Sequence, residues 1–229
     1  MRAALGSAVV WSIDLNLPTP IAHELCALPT VEGPNALTAI PGHPDIILMA
    51  DSIAGGVWQI NTKGGNAHLV IQDESMSPNG PAPALGINGL HMRAAESNIL
   101  YFSNSQEGTL ARVVIRIVGG NLRAAGAVEL LGTIQSADAV QNPDDFAIDS
   151  EGRAWLTVHP GAVKLLSPPG NYNGTWTQLT AVGNVAGSDA QLIQPTSAAF
   201  GRGSAVQEQT LYVVTAAGQI VAVDTTGNA

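Results

Sequence analysis

The sequence is poor in charged residues and has almost no cysteine. Only 12% of its 229 residues are charged, and 18 Asp and Glu outnumber nine Lys and Arg. Nucleic acids and anionic membranes are bound by basic patches, and no basic cluster occurs here, so we expect neither as a partner. The single cysteine, Cys26, permits no internal disulfide, which is typical of a reducing compartment. Its position in the apolar run 22–28 predicts a buried thiol.

Long apolar runs, helical periodicity and the common catalytic motifs are also missing. No run approaches the roughly 18 apolar residues of a membrane-spanning helix. No basic stretch is followed by an apolar segment, so we expect no signal peptide, and the cytoplasm is the favoured location. No segment keeps a helical apolar period for three turns. A nucleophile elbow, a P-loop, a His-Glu-x-x-His helix and paired Cys-x-x-Cys motifs are absent, so nucleophilic triads, nucleotide hydrolysis and zinc chemistry have no support.

What the sequence does contain is a repeat. Four similar segments, 33–40, 86–92, 143–148 and 195–200, recur about every 50 residues. Each is followed by further short runs rich in Ile, Leu, Val and aromatic residues, which are typical of strands. A period of this length holds four strands and their turns, which is how the blades of β-propellers are encoded. The sequence therefore predicts an all-β protein built as a β-propeller.

The repeat also predicts where the blades begin and end within a single domain, 1–229. We expect a partial blade at 1–30, blades at 31–84, 85–140 and 141–190, and an incomplete last blade at 191–229. Val9–Asp14 matches Val57–Asn61, which is the third run of a unit, so the first unit lacks its inner two strands. An open stack exposes edge strands. Either residues are missing relative to a parental protein, or a partner such as a second copy covers the edges, or the ring closes in another way.

Three stretches resemble a known family. These are Asn88–Leu90 with Ile99–Phe102, Pro143–Trp155, and Pro195–Gly201 with Leu211–Val213. Together they are similar to segments of the SMP-30/gluconolactonase/luciferin-regenerating-enzyme family. The resemblance implies a six-bladed propeller from which about one and a half N-terminal blades are absent here. It also implies one divalent metal, such as Ca²⁺, on the propeller axis.

The resemblance assigns roles to individual residues. It makes Asn88 and Asp144 metal ligands and places Asn35 in the wall of the substrate pocket, whereas the family's glutamate ligand has no counterpart in this chain. Asn35–Ala39, Asp144–Phe146 and Ala199–Arg202 look most like a fungal branch of the family found in natural-product pathways. Some members of that branch are hetero-Diels–Alderases.

Independently of the resemblance, one polar position recurs at the start of each unit. Asn35, Asn88, Asp144 and Thr196 occupy it, and they would converge if the blades pack around one axis. The alternative is that each side chain caps the start of its own strand. Strand alternation directs only one of Asp144 and Asp145 toward the axis, and we favour Asp144.

Five further residues complete the candidate set. Asp51, Asn104 and Thr215 end the second strands and are candidates for the pocket wall, although stabilisation of the following turn is the favoured alternative. His159 ends a second strand near the expected mouth of the pocket and is a candidate proton donor. His91 follows Asn88 by three positions, so alternation predicts a packed or surface histidine on the opposite face.

We expect an enzyme that acts on an apolar small molecule, with hetero-Diels–Alder addition as the first hypothesis. Such a reaction needs no cofactor; Asn35, Asn88, Asp144 and His159 would orient the substrate. The first alternative is a lactonase that uses Ca²⁺ or another divalent cation held by Asn88 and Asp144. The second alternative is a binding propeller without chemistry.

Overall fold

The computed structural model describes residues 4–81, 84–136, 139–140, 142–170, 174–184 and 191–228. Within these ranges the chain is built almost entirely of antiparallel strands, and the strand order in each four-stranded or three-stranded sheet follows the chain. The longest described helix is one turn, α1 (Ala205–Glu208), and no described helix is long and apolar enough to cross a membrane. The all-β prediction is confirmed.

The strands group into a half-blade and four blades. The half-blade contains β1 (Ala8–Asp14) and β2 (Ile21–Leu28). Blade 1 contains β3 (Pro34–Ile40), β4 (His43–Asp51), β5 (Gly56–Asn61) and β6 (Asn66–Gln72). Blade 2 contains β7 (Ile87–Arg93), β8 (Glu96–Asn104), β9 (Thr109–Val118), β10 (Asn121–Ala124) and β11 (Glu129–Thr133).

The remaining strands follow in the same order. A short pair, β12 (Gln135–Ser136) and β13 (Ala139–Val140), precedes blade 3. Blade 3 contains β14 (Asn142–Ile148), β15 (Ala154–His159), β16 (Ala162–Ser167) and β17 (Thr177–Gly183). Blade 4 contains β18 (Pro195–Phe200), β19 (Thr210–Thr215) and β20 (Ile220–Asp224). Single 3₁₀ turns lie at Glu74–Met76 and Thr226–Asn228.

The first strand of each blade lies innermost. These strands, β3, β7, β14 and β18, contact one another in order, so the blades fan around a common axis as in a β-propeller. Among the described strands, β1 of the half-blade pairs only with β2. That the first unit lacks its inner strands stays a prediction.

Apolar side chains between neighbouring blades form the core. One cluster joins blades 1 and 2 through Leu48 and Phe102, and the next joins blades 2 and 3 through Leu110 and Phe146. The fully buried Trp155 belongs to a third cluster, between blades 3 and 4. A fourth cluster packs the half-blade on blade 1. Because each blade is stabilised by its neighbours, the inner strands and their polar side chains are held in fixed positions relative to one another.

The two ends of this stack expose apolar side chains. Trp11 and Ile13 on β1 are 57% and 59% exposed, and Ile220 on β20 is 75% exposed. These are surfaces on which a further blade or another chain could pack. That a second copy covers them stays a prediction.

Cys26 is buried as predicted and lies in the cluster between the half-blade and blade 1. Burial, followed by the nearby Glu24 carboxylate, raises the pKa of the Cys26 thiol. Because the thiolate is the reactive form, we expect native protein at pH 8 to react with a disulfide reagent at least about tenfold more slowly than protein unfolded in urea. Equal rates in stopped-flow absorbance measurements would contradict this.

Candidate functional site

Each inner strand is interrupted by a β-bulge at the recurring polar position. The pairing register shifts between Pro34 and Leu37, between Ile87 and Leu90, between Pro143 and Phe146, and between Pro195 and Ser197. Residues inside a bulge have no partner in the strand ladder, and the normal alternation of side chains is lost there. Three of these bulges follow a proline, which cannot donate a backbone hydrogen bond to the ladder.

A small pocket lies at the start of the inner strands of blades 2 and 3. It has a volume of about 170 Å³ and is lined by Leu85, Asn88, Ser105, Gln106, Asn142, Pro143, Asp144 and His159. We call it the His159 pocket. The structure therefore brings together Asn88, Asp144 and His159, the three residues predicted to be catalytic.

Asn88 is held in one orientation by a relay of two hydrogen bonds between blades 2 and 3. Its Nδ2 donates to Ser105 Oγ at 2.8 Å, and Ser105 Oγ donates to the Pro143 carbonyl at 2.7 Å. Because the amide nitrogen is engaged, Asn88 Oδ1 is left as an acceptor for a ligand. The relay also ties blade 2 to the bulge of blade 3.

Asp144 and His159 form an imidazole–carboxylate pair. His159 Nε2 lies 3.3 Å from Asp144 Oδ2, but that nitrogen is buried and the contact lacks hydrogen-bond geometry. The imidazole ring as a whole is partly exposed, and its Nδ1 makes no hydrogen bond within the described residues. The arrangement turns Nε2 toward the carboxylate, which can stabilise an imidazolium, and leaves Nδ1 to exchange a proton or a hydrogen bond with a ligand.

Asp145 makes a second pair, with His91. Asp145 Oδ1 lies 2.7 Å from His91 Nε2, and Asp145 Oδ2 accepts a hydrogen bond from Ser197 Oγ at 2.6 Å. Both adjacent carboxylates reach side-chain partners because they lie inside the bulge, where strict alternation of side chains does not hold. His91 does pack, as expected, with its ring edge-on to Phe146 at 4.7 Å between centroids.

The close approach of blades 2 and 3 at this point requires a glycine. A Cβ atom on Gly89 would lie 2.6 Å from Asp145 Oδ1 and 2.9 Å from Phe146 Cδ1. Any other residue would therefore displace the carboxylate that binds His91.

The other two residues of the recurring polar position lie outside the His159 pocket. Asn35 Nδ2 donates to Ser52 Oγ at 3.0 Å, and Ser52 Oγ donates to the carbonyl of Ile87. This repeats, between blades 1 and 2, the relay that holds Asn88. Thr196 Oγ1 makes a long hydrogen bond of 3.3 Å to the Val214 carbonyl within its own blade. Both contacts are those of strand capping and blade packing.

Asp51 and Asn104 satisfy buried backbone groups instead of lining the pocket. Both are completely buried. The Asp51 carboxylate accepts backbone N–H groups of the turn at 53–54 and of the preceding segment 32–33. Asn104 donates to the Ser75 and Ser77 carbonyls and accepts from the Glu107 N–H. The structure favours the turn-stabilising alternative for these two residues.

Thr215 has the same kind of role. Its Oγ1 lies 3.1 Å from Gln219 Oε1 and accepts the Gln219 backbone N–H at 3.2 Å. These bonds close the turn between β19 and β20, and Thr215 lies away from the residues that line the His159 pocket.

The donor set around Asn88 and Asp144 does not fit a divalent cation. Ca²⁺ takes about six to eight oxygen ligands, usually with several carboxylates. The pocket lining offers a single carboxylate, which already faces His159; its other side-chain oxygens are the neutral ones of Asn88, Ser105, Gln106 and Asn142. Among the described residues no group of three or more His, Cys, Asp and Glu side chains is placed to hold a metal. We therefore derive no step through a metal, and the Ca²⁺ expectation stays a prediction.

Comparison with protein-family models and with curated proteins finds no match. Solved structures do match. A chain of a nidogen/laminin complex has 14% identity and a TM-score of 0.65 over 98% of this chain, and luciferin-regenerating enzyme has 15% and 0.57 over 87%. Virginiamycin B lyase from Staphylococcus aureus has 14% and 0.53 over 94%. The chain spans 73%, 60% and 62% of these three structures, respectively. Likeness at this identity shows a shared fold and no activity.

Proposed function

We propose that this propeller is an enzyme that binds an apolar, carbonyl-bearing small molecule at the His159 pocket and catalyses a pericyclic addition of the hetero-Diels–Alder type. The observation that carries the proposal is that His159 Nε2 lies 3.3 Å from Asp144 Oδ2 in the wall of the pocket, while Nδ1 makes no hydrogen bond to the described part of the chain. Two of the structurally similar proteins are enzymes by name, which supports a catalytic role for this architecture.

A hydrogen-bond donor and a fixed geometry are what such a reaction needs from a protein. An imidazolium stabilised by Asp144 donates from Nδ1 to the substrate carbonyl, withdraws electron density from the reacting π system and lowers the barrier. Asn88 Oδ1 accepts from a substrate hydroxyl and orients it. Holding the two reacting ends together supplies the rest of the acceleration. No nucleophile and no metal takes part.

The size of the pocket determines which part of the substrate it holds. Sites for drug-sized ligands are usually about 300–1,000 Å³, and this pocket is about 170 Å³. It therefore holds the carbonyl end, and the apolar remainder of the substrate extends along the open side of the inner strands.

Hydrolysis of a lactone is a second candidate, because the same pair favours it. In the neutral state of His159, Nδ1 takes a proton from water while Asp144 stabilises the imidazolium that forms. A lactone ring is small enough for a pocket of this size. The metal-dependent form of this reaction would need oxygen ligands beyond Asn88 and Asp144.

The purified chain is assayed in two separate reactions. One contains an ortho-quinone methide together with a polyene, and the other contains dihydrocoumarin as a lactone. We expect cycloadduct formation above the uncatalysed rate, unchanged by a chelator and reduced about 100-fold in His159→Gln, since a hydrogen-bond donor to a developing charge contributes about that factor. His43→Gln, at an exposed histidine on β4, is the matched control and should keep the wild-type rate.

Other results would replace the proposal. Lactone hydrolysis that is lost in His159→Gln and insensitive to chelator assigns the second candidate. Hydrolysis that chelator abolishes and Ca²⁺ restores assigns the metal-dependent lactonase. Turnover at equal rates in wild type and His159→Gln contradicts catalysis at this pocket, and absence of turnover of both substrates favours a binding propeller.

A further inference from the structure

We propose that the opposite end of the inner strands holds a second site, which binds an apolar carboxylate through His91 and Arg202. It goes beyond the proposed function, because it lies in a different cavity and uses different residues. The cavity is about 530 Å³ in volume, within the usual range for small-molecule sites. It is formed by the last residues of β7, β14 and β18 and the loops that follow these strands. We call it the His91 cavity.

The imidazole in this cavity is oriented by a chain of hydrogen bonds across three blades. His91 belongs to blade 2, Asp145 to blade 3 and Ser197 to blade 4. The bond of 2.6 Å from Ser197 Oγ fixes one oxygen of Asp145, and the other oxygen lies 2.7 Å from His91 Nε2. Nε2 is thereby committed to Asp145. His91 Nδ1 makes no hydrogen bond within the described residues and is the atom left for a ligand.

When His91 is an imidazolium, Asp145 supplies the counter-charge at Nε2 and Nδ1 carries a hydrogen. An Nδ1–H of an imidazolium gives a charge-assisted hydrogen bond to a carboxylate oxygen, and such bonds are roughly twice as strong as neutral ones. The edge-on contact with Phe146 at 4.7 Å holds the plane of the ring. The geometry is that of a preorganised donor and not of a surface histidine free to rotate.

The other charges around the cavity select an anion. Arg93 is neutralised by Glu96, whose Oε2 lies 2.8 Å away, and Arg93 also donates to the Ser150 carbonyl at 2.9 Å. Asp149 is neutralised by Arg153 at 2.7 Å. Arg202, by contrast, is exposed and forms no ion pair among the described residues.

The apolar part of the lining selects the rest of the ligand. Beside the paired Arg93 and Asp149, the cavity wall has aliphatic side chains and one aromatic ring, contributed by Met92, Ala147, Ile148, Ala198 and Phe200. A sugar or a nucleotide would leave its hydroxyl groups unpaired against this wall. An aromatic or aliphatic acid instead places its carboxylate between His91 and Arg202 and its hydrocarbon on the wall.

The probe for this site is 1-naphthoate, and its neutral match is 1-naphthamide, with binding measured by isothermal titration calorimetry on the whole chain. We expect 1-naphthoate to bind at least about tenfold more tightly than the amide, because the amide cannot form the charge-assisted bonds. Arg202→Gln, at an exposed position that does not endanger folding, and His91→Gln should each weaken naphthoate binding about tenfold. Arg116→Gln, at an exposed arginine on β9, should leave the affinity unchanged.

Equal affinity for acid and amide, no binding of naphthoate, or unchanged affinity in both variants would overturn the proposal.

Discussion

Replacing Asp51 with alanine is expected to remove about 4 kcal/mol or more from the free energy of unfolding, and to lower the melting temperature by roughly 10 °C. The Asp51 carboxylate is completely buried and accepts the backbone N–H groups of Glu32, Gly33, Ile53 and Ala54 at 2.9 to 3.2 Å. Each buried donor that loses its partner costs about 1–3 kcal/mol. Urea denaturation followed by tryptophan fluorescence measures the change.

Asp45→Ala is the matched control, because it removes the same group at the surface of the same blade. Asp45 pairs with Lys63 at 2.8 Å, and the two side chains are 43% and 77% exposed. Exposed ion pairs contribute about 0–1 kcal/mol, so this variant should unfold almost as the wild type does. If the two variants lose equal stability, the Asp51 carboxylate does not anchor the turn as we describe.

The second large effect is expected for Asp144→Asn, which should reduce turnover at the His159 pocket by about 100-fold or more without changing the fold. The replacement keeps the shape of the side chain and removes the charge that stabilises the imidazolium. The Asp144 side chain makes no hydrogen bond within the described residues, and its one charged contact is His159 at 3.3 Å. Steady-state rates and far-ultraviolet circular dichroism together measure the effect.

Asp45→Asn serves as the control for Asp144→Asn, since it makes the same chemical change far from the pocket. It should retain the wild-type rate. Wild-type turnover in Asp144→Asn would remove this residue from the mechanism.

Much of the architecture follows from the sequence because the repeat is strong. Asn35, Asn88, Asp144 and Thr196 marked the start of each inner strand, and those strands lie next to one another in the structure. Recurrence of one pattern four times reports on the fold even where each copy alone is ambiguous. The half-blade was predicted for the same reason, since the sequence Val9–Asp14 matches the third run of a repeat unit.

The pairing of His91 with Asp145 could not be predicted from the sequence. The two residues are separated by 54 positions and belong to different blades. Simple alternation directs only one of two adjacent side chains toward the axis, and it fails here because Asp144 and Asp145 lie inside a bulge. Pro143 was the local sign of that bulge, but a proline next to a strand is compatible with several irregularities.

The residues at the ends of the second strands illustrate a different limit. A polar side chain there can bind a ligand or bond to the following turn, and the residue types for the two roles are the same. Only the burial of Asp51 and Asn104 and the hydrogen bonds they make distinguish turn stabilisation from ligand binding. Such information depends on how blades pack, which a local pattern does not encode.

The bulges have a consequence for how such a protein diversifies. The side chains at positions 35, 88, 144 and 196 belong to residues that take no part in the strand ladder. Exchanging them leaves the sheet register unchanged, because none of them pairs in the ladder. One scaffold can thus acquire a new catalytic repertoire by substitutions at a few axial positions, while its strand pairing is determined by a separate set of residues.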